Sequence, residues 1–252
     1  MVRKINLIAD PMWQVLRRVT FPASIGSLFQ TFYNLVDTFF AGKISPDALS
    51  ALAKSFPIYF IIIAIGVGVG AGTNTLIGNS IGEKKENEAS LYVAQSLIFA
   101  VLISLIVTFV GISSSDYLLQ LLGSSPENIV LTREYLDIIF FCTVIVIIQV
   151  SLNGTLNAQG DTKSYRNVLI FTFFLNIVLN PIFIFGFSII PAYGISGIAI
   201  ATVICQLLGT IYLAHKVYCC KLKEYLYFKC FAPKINFLGN LTYQSVPIMF
   251  SM

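Results

Sequence analysis

The sequence has few charged residues. Asp, Glu, Lys and Arg make up 11% of its 252 residues, against about 25% in an average soluble domain, whose surface must face water. The mean hydropathy of +0.81 means that apolar side chains outnumber what one soluble core of this length could bury. The 16 basic and 12 acidic residues are scattered, which excludes a nucleic-acid-binding surface. A water-soluble globular fold is excluded as well.

The residue patterns of metal sites and enzymes are also missing. The single histidine, His215, lies near the end of a long apolar run, and the five cysteines have no zinc-ligand spacing and no histidine partners. An intramembrane enzyme would need a paired acid, a pair of metal-binding histidines or an activated nucleophile. We therefore expect no enzymatic activity, no cofactor and no transition-metal site.

Long apolar runs are present instead. A bilayer core about 30 Å thick requires roughly 20 apolar residues of helix. Four runs of that length, the first interrupted only by Asp37, are followed by a run about twice as long that contains a turn at 191–194; the five runs are 19–42, 55–82, 89–115, 138–160 and 167–214. They predict an all-α polytopic membrane protein with six transmembrane helices, and the apolar stretch at 238–252 predicts the start of a seventh.

Local signals support these boundaries. Ser45 and Ser125 each precede a proline, which is typical of an N-cap followed by the first residue of a helix. Gly160 is suited to the left-handed conformation that ends a helix. Pro57 predicts a kink, or a join between a short interfacial helix and the true span.

The basic residues predict the orientation. With a cytoplasmic N-terminus, thirteen of the sixteen fall in inside segments and three outside, which satisfies the positive-inside rule. The predicted organisation is a cytoplasmic interfacial segment, a six-helix transmembrane lobe, a cytoplasmic inter-lobe loop and the start of a second lobe, at 1–18, 19–216, 217–237 and 238–252. We expect a multi-pass protein of the plasma membrane, and the Lys- and Ile-rich usage favours a bacterial one.

Asp37 is the one acidic residue well inside a predicted span. An ionised carboxylate at mid-bilayer costs about 2.5 to 3.5 kcal/mol even on the lenient insertion scale, so such a residue is a functional candidate. A buried carboxyl group is also suited to binding and releasing a proton. At helical spacing Asp37 shares a face with Asn34, Gln30 and Ser27, and this stripe should face protein or a water-filled cavity.

Three further helices each carry one polar stripe at i, i+4 and i+8. The stripes are Gln149, Asn153 and Asn157 in the fourth span, Thr172, Asn176 and Asn180 in the fifth, and Thr202, Gln206 and Thr210 in the sixth. Such residues either form hydrogen bonds between helices, worth about 0.6 kcal/mol each, or face a cavity. Packing is favoured for the fourth and sixth stripes, and both interpretations stay open for Asn176 and Asn180.

The start of the first span resembles the start of the seventh. Pro22 in Val19–Ile25 and Pro247 in Gln244–Phe250 occupy similar contexts. Secondary transporters are often built from two repeated lobes with the substrate path between them. We therefore expect half of a roughly twelve-helix protein, truncated near the start of its seventh helix.

Several segments, taken in order and spacing, resemble the multidrug and toxic compound extrusion (MATE) transporters over essentially the whole chain. They are Pro22 with Tyr33–Thr38, Gly72–Asn74, Leu156–Lys163, Leu175–Pro181 and Gly194–Thr202. The resemblance implies a two-lobed antiporter that expels organic cations, its small-molecule substrates, in exchange for H+ or Na+. It also implies a missing C-terminal lobe.

The resemblance further implies a coupling site. Asp37 would be the cation-linked carboxylate, surrounded by Asn176, Asn180 and Thr202, while Gln30, Asn34, Thr172 and Gln206 would line a cavity. The most similar family members carry Asp at the position of Asn180. Asn cannot take up a proton, so proton coupling would rest on Asp37 alone, whereas Na+ could bind at Asp37, Asn176 and Asn180. The coupling ion stays open.

Two alternatives remain from the sequence. A flippase for lipid-linked precursors would share the helical plan, although basic residues would be expected within its cavity. An inactive half-transporter is the other, because a cavity between two lobes needs both of them. All three functions involve the lipid bilayer and none involves nucleic acid.

Overall fold

The computed structural model describes residues 12–220 and 228–251, which form a bundle of long α-helices. These are α1 (Met12–Ile44), α2 (Pro46–Gly82), α3 (Glu86–Leu121), α4 (Pro126–Ala158), α5 (Lys163–Phe185), α6 (Ile195–Tyr218) and α7 (Ile235–Met249), with a 3-10 turn at Phe228–Phe231. The described residues contain no β-strand, only an isolated bridge between Phe187 and Ile190. The predicted all-α fold is confirmed.

Five helices, α2 to α6, are long and apolar enough to cross a membrane. The remaining predicted span is the first, α1, which has 33 residues. At 1.5 Å per residue it is about 50 Å long, more than a bilayer core requires. Its hydropathy is lower because it carries Gln30, Asn34 and Asp37 in its central turns. The bundle is polytopic, and its least apolar span is the one that carries the buried carboxylate.

The predicted helix starts are confirmed. The Ser45 hydroxyl accepts a hydrogen bond from the Ala48 amide at 3.0 Å, and Ser125 does the same for Asn128 at 3.4 Å. These bonds satisfy amide groups that have no partner in the first turn of a helix. By contrast, α2 runs unbroken through Pro57, so the predicted interfacial piece is not a separate helix.

The turns also follow the predictions. Gly160, just after α4, has a φ of 79°, which lies in the left-handed region that favours glycine. Residues 186–194 separate α5 from α6, with Gly186 and Gly194 at φ of 80° and 56°. The long apolar run at 167–214 is therefore two helices joined by a turn.

The predicted segments that flank the lobe are only partly covered. Residues 1–11 of the predicted interfacial segment and residues 221–227 of the predicted inter-lobe loop lie outside the described residues. Helix α1 begins at Met12, before the predicted start of the first span, and α7 begins at Ile235.

Helix α2 lies at the centre of the bundle, where it packs against α1, α3, α4 and α7. A side chain on Gly154 of α4 would overlap the carbonyl oxygen of Gly70 on α2. The two backbones touch there, as small residues allow in membrane helix pairs. Large side chains such as Phe109 (74% exposed) and Phe141 (70%) point outward, as expected of a surface that faces lipid.

Helix α7 packs against α2 and α3 of this bundle. Gly68 and Gly72 of α2 make room for Met249 and Ser245 of α7. Near the start of α7, the buried Gln95 of α3 donates from Nε2 to the carbonyl oxygens of Cys230 (2.8 Å) and Ala232 (2.7 Å), and its Oε1 accepts from the Lys234 amide at 2.8 Å.

Candidate functional site

Asp37 lies inside the bundle, with only 7% of its surface exposed. Its Oδ1 atom accepts hydrogen bonds from the Nδ2 atoms of Asn176 (3.0 Å) and Asn180 (2.8 Å) on α5, and its Oδ2 atom accepts from the Thr202 hydroxyl of α6 at 3.4 Å. The structure therefore brings the four predicted coupling residues together. We call this group, Asp37 with Asn176, Asn180 and Thr202, the carboxylate cluster.

The donors of the carboxylate cluster are all neutral. Among the described residues, no Lys or Arg forms an ion pair with Asp37. Neutral donors stabilise a buried carboxylate without cancelling its charge, so a small cation that reaches Asp37 gains strong electrostatic attraction in this low-dielectric setting. This arrangement can take up a proton or a metal cation and release it again.

Asn180 has a buried amide oxygen without a hydrogen-bond partner. Its Nδ2 atom also contacts Oδ1 of Asn176 at 3.1 Å, while its own Oδ1 atom is buried and accepts no hydrogen bond. Buried polar atoms are rarely left unpaired. An unpaired amide oxygen on a residue that contacts a carboxylate is a ligand type that cations such as Na+ prefer. In the described part of the chain, no group of three His, Cys, Asp or Glu side chains forms a separate metal site.

Tyr33, the first residue of the family-like segment Tyr33–Thr38, belongs to the same region, although it was not among the predicted site residues. It lies one helical turn before Asp37, is 5% exposed, and carries a buried hydroxyl. Thr202, Asp37 and Cys205 are its polar neighbours. Its position four residues before Asp37, on the same helical face, is the signal that could have identified it.

A cavity of about 480 Å³ lies between α1, α2, α4, α5 and α6, and we call it the amide cavity. Three of the four residues predicted to line a cavity do so: Gln30, Asn34 and Gln206. Thr172, the fourth, lies outside this lining. It is buried, its hydroxyl donates to the Leu169 carbonyl at 3.3 Å, and its own carbonyl accepts from Cys205.

The polar stripe of α4 also lines the amide cavity. Gln149, Asn153 and Asn157 all border it, although interhelical packing was the favoured interpretation for them. Gln149 does both, because its Nε2 atom donates to the Gln206 carbonyl at 3.2 Å. Asn74 of α2 completes the set of amides.

The predicted stripe of α1 is divided between these two regions. Ser27, Gln30 and Asn34 border the amide cavity, whereas Asp37 points to α5 and α6. Residues three apart on a helix are offset by about 60°, which is enough to place Asn34 and Asp37 in different surroundings. Tyr59 borders the cavity and lies within electrostatic range of Asp37, so the two regions are neighbours.

A second space, of about 360 Å³, continues from the cavity toward the predicted cytoplasmic end. It shares Ser27, Asn74, Asn153 and Asn157 with the amide cavity and adds Arg166 and Thr162. The Arg166 guanidinium donates to Oδ1 of Asn167 at 2.8 Å. The second space is therefore bordered by one basic side chain among the described residues, that of Arg166.

The sequence matches the MatE family over residues 22–182, which include Asp37 and both asparagines of the carboxylate cluster. The chain belongs to the MatE family. Other MatE relatives include an FAD transporter of Shewanella oneidensis, 29% identical over 78% of this chain and 44% of that protein. A probable multidrug resistance protein, YoeA of Bacillus subtilis, is 29% identical over 86% of this chain and 47% of its own length.

The multidrug export protein MepA of Staphylococcus aureus is 27% identical over 81% of this chain and 45% of MepA. The chain thus spans about half the length of the curated relatives that it matches. Solved structures also match this chain over about half of their own length. A MATE mutant superposes with a TM-score of 0.87 at 26% identity, over 100% of this chain and 56% of that one.

An outward-facing multidrug resistance MATE family transporter superposes with a TM-score of 0.84 at 27% identity, over 94% of this chain and 52% of its own. A transporter of the MOP superfamily from Pyrococcus furiosus gives the same TM-score, identity and coverage. These matches support the predicted all-α MATE fold and place this chain on the N-terminal half of a MATE transporter.

Proposed function

We propose that this chain forms the first lobe of a secondary antiporter that exports organic cations in exchange for H+ or Na+. The observation that carries the proposal is the carboxylate cluster, in which neutral groups alone hold a buried carboxylate. The names of two relatives, a multidrug resistance protein and a multidrug export protein, support the substrate class.

Binding of the coupling ion changes the contacts between three helices. A proton on Asp37 removes the negative charge that the Asn176, Asn180 and Thr202 donors stabilise, so these hydrogen bonds weaken. Na+ would bind at the Asp37 carboxylate, with the side-chain oxygens of Asn176 and Asn180 as the candidate further ligands. In either case the contacts of α1 with α5 and α6 change, and the bound ion favours one packing of these helices over another.

One coupling site is energetically sufficient. A monovalent cation that moves through about 150 mV releases about 3.5 kcal/mol, which sustains a substrate gradient of roughly 300-fold when the substrate carries no net charge. Exchange of one coupling ion for one monovalent substrate cation moves no net charge. Such exchange would draw only on the concentration gradient of the coupling ion.

The test is efflux of a fluorescent organic cation from energised vesicles under separate H+ and Na+ gradients. The chain and its form extended through a second lobe are compared with their Asp37→Asn variants. Asp116→Asn is the matched control, because Asp116 is half exposed and pairs with Arg133 at 2.8 Å near a helix end. Asn at position 37 retains the shape of the side chain but cannot be ionised.

We expect Asp37→Asn to abolish gradient-driven efflux with normal membrane insertion, while Asp116→Asn keeps efflux within about twofold, because an exposed ion pair contributes little. The gradient that supports efflux identifies the coupling ion. Efflux that persists in Asp37→Asn would refute the role of Asp37. Absence of efflux from every form, extended or not, would favour a flippase, whereas efflux from the extended form alone would show that the half-transporter is inactive by itself.

We also propose a plasma-membrane location with a cytoplasmic N-terminus, supported by the distribution of basic residues. Cys219 offers a test, because it is exposed at the end of α6. A membrane-impermeant maleimide should label Cys219 only in inside-out vesicles, with Cys219→Ser as the control. Labelling from the outside of intact cells would reverse the orientation.

A further inference from the structure

The turn between α5 and α6, residues 186–194, presents apolar side chains to its surroundings, and we call it the α5–α6 turn. Phe187 is 69% exposed and Ile189 is 94% exposed. The turn contains no Asp, Glu, Lys or Arg. Exposed apolar patches of this kind mark sites where a protein meets another protein or a membrane. The α5–α6 turn therefore has the character of a contact surface, and its surroundings indicate which partner it meets.

The apolar surface of the α5–α6 turn continues the outer face of α5. Helix α5 is apolar and long enough to cross a membrane. Four of its residues are more than half exposed and share one face of the helix, namely Phe171, Phe174, Val178 and Phe185. This face meets acyl chains, and Phe187 and Ile189 extend it beyond the end of the helix.

The pair of helices joined by the α5–α6 turn is short compared with the rest of the bundle. Helix α5 has 23 residues and α6 has 24. At 1.5 Å per residue each is about 35 Å long, close to the thickness of a bilayer core, about 30 Å. Helix α3 has 36 residues and is about 54 Å long. The α5–α6 turn therefore lies near the edge of the hydrocarbon, whereas α3 extends beyond it.

Charged residues of α4 mark the same level. The Ser196 hydroxyl, in the first turn of α6, donates to the Glu134 carbonyl at 3.5 Å. After Glu134, α4 carries one more charged residue, Asp137, before the uncharged run 138–160 begins. Charged side chains are rare within the hydrocarbon, so these two residues lie at its boundary. The start of α6, and the α5–α6 turn with it, is therefore level with the lipid headgroups.

The backbone of the α5–α6 turn is largely paired within the protein. Phe187 and Ile190 exchange two backbone hydrogen bonds, at 3.0 and 2.9 Å. The amide of Tyr193 donates to the Phe183 carbonyl at 2.9 Å, and that of Gly194 donates to the Ile184 carbonyl at 3.2 Å. Backbone groups without a partner are costly in lipid. A turn that pairs them internally can place its side chains among lipids.

We propose that the α5–α6 turn is a lipid-binding surface, with Phe187 and Ile189 inserted at the boundary between the headgroups and the acyl chains of phospholipids. This interaction goes beyond the proposed function, which concerns the ion and the substrate. The turn joins the two helices that carry the three neutral donors of the carboxylate cluster. Lipid contact at the turn therefore restrains one end of both helices.

The test is quenching of tryptophan fluorescence in vesicles of brominated phosphatidylcholine. The sequence has one tryptophan, Trp13, so Trp13→Phe gives a background without this signal. In that background, Ile189→Trp is compared with Phe174→Trp in the middle of α5 and with Leu121→Trp at the end of α3, all of them exposed apolar positions. The bromine atoms are placed either near the headgroup or near the end of the acyl chain, and iodide is the quencher in water.

We expect Ile189→Trp to lose at least about half of its emission to bromines near the headgroup, and less to bromines near the chain end, because its side chain is interfacial. Phe174→Trp should show the reverse order. Leu121 lies about 8 Å beyond Asp116 along α3, and Asp116 pairs with Arg133. Iodide rather than bromine should therefore quench Leu121→Trp. Phe187→Trp, which exchanges one exposed aromatic ring for another, makes the same measurement if Ile189→Trp does not fold.

Three results would overturn the inference. Quenching of Ile189→Trp by iodide, as in Leu121→Trp, would place the turn in water. Stronger quenching by bromines near the chain end, as in Phe174→Trp, would place it within the hydrocarbon. Quenching by neither agent, in this chain or in its form extended through a second lobe, would show that protein covers the turn instead of lipid. No ion gradient is used, so the outcome is independent of the efflux test of Asp37.

Discussion

The carboxylate cluster and the amide cavity lie side by side and are built from the same kinds of residue, yet they differ in how their polar groups are paired. In the carboxylate cluster, amides and a hydroxyl converge on one carboxylate. In the amide cavity, seven amides surround an open volume and Asn153 keeps an unpaired acceptor. The first region concentrates its neutral donors on one charged group, whereas the second distributes its amides around an open volume.

The largest effect should come from placing a second acid in the carboxylate cluster. Asn180→Asp puts two carboxyl groups within hydrogen-bond range of the same asparagine. Like charges at this distance share a proton. We therefore expect efflux under an H+ gradient to rise several-fold relative to efflux under a Na+ gradient, measured in the vesicle assay.

The control for this substitution is Asn180→Leu, which removes the amide oxygen without adding a charge and should reduce efflux under both gradients. An unchanged ratio of H+-driven to Na+-driven efflux in Asn180→Asp would show that this position does not influence ion choice.

A smaller effect is expected where the wall of the amide cavity is tightest. Gly154→Ala forces a methyl group into the carbonyl oxygen of Gly70, and overpacking of this kind costs typically about 1 to 3 kcal/mol. At about 2 to 4 °C per kcal/mol for a chain of this size, Tm in detergent should fall by roughly 5 °C.

Gly78→Ala on α2 is the matched control, because no atom lies within 4 Å of its added methyl group. Alanine favours the helix at this position, so Tm should stay the same or rise slightly. Equal losses in the two variants would contradict the close contact between α2 and α4.

The smallest effect is expected at Thr202. Its hydroxyl lies 3.4 Å from Oδ2 of Asp37, longer than the two bonds from the asparagines. Thr202→Val keeps the shape and removes the hydroxyl, so gradient-driven efflux should fall by only about two- to threefold, in line with one weak hydrogen bond. A loss as large as that of Asp37→Asn would show that the hydroxyl contributes more than its distance indicates.

Much of the fold could be predicted because local chemistry determines it. The Ser-Pro starts of α2 and α4 and the turn between α5 and α6 depend on neighbouring residues alone, and the structure confirms them. The grouping of Asp37 with Asn176, Asn180 and Thr202 was predicted through family resemblance. Helical spacing alone could show only that each polar face existed.

The amide cavity was harder to predict, because a polar stripe at i, i+4 and i+8 looks the same whether it faces a partner helix or a void. Gln149 serves both purposes, and only the placement of α1 and α2 around α4 decides where the open volume lies. Gln95 gave no signal either, since it is one amide within an apolar run and its partners are backbone atoms more than 130 residues away along the chain.

Those hydrogen bonds of Gln95 bear on how motion passes along the polypeptide. Residues 230–234 are bonded to α3 through a side chain that water does not reach, and α7 then packs on the glycines of α2. Residues 230–234 are therefore held against α3 and do not form a flexible link to α7. We expect a change in tilt of α2 or α3 to displace residues 230–234 and the base of α7 with it.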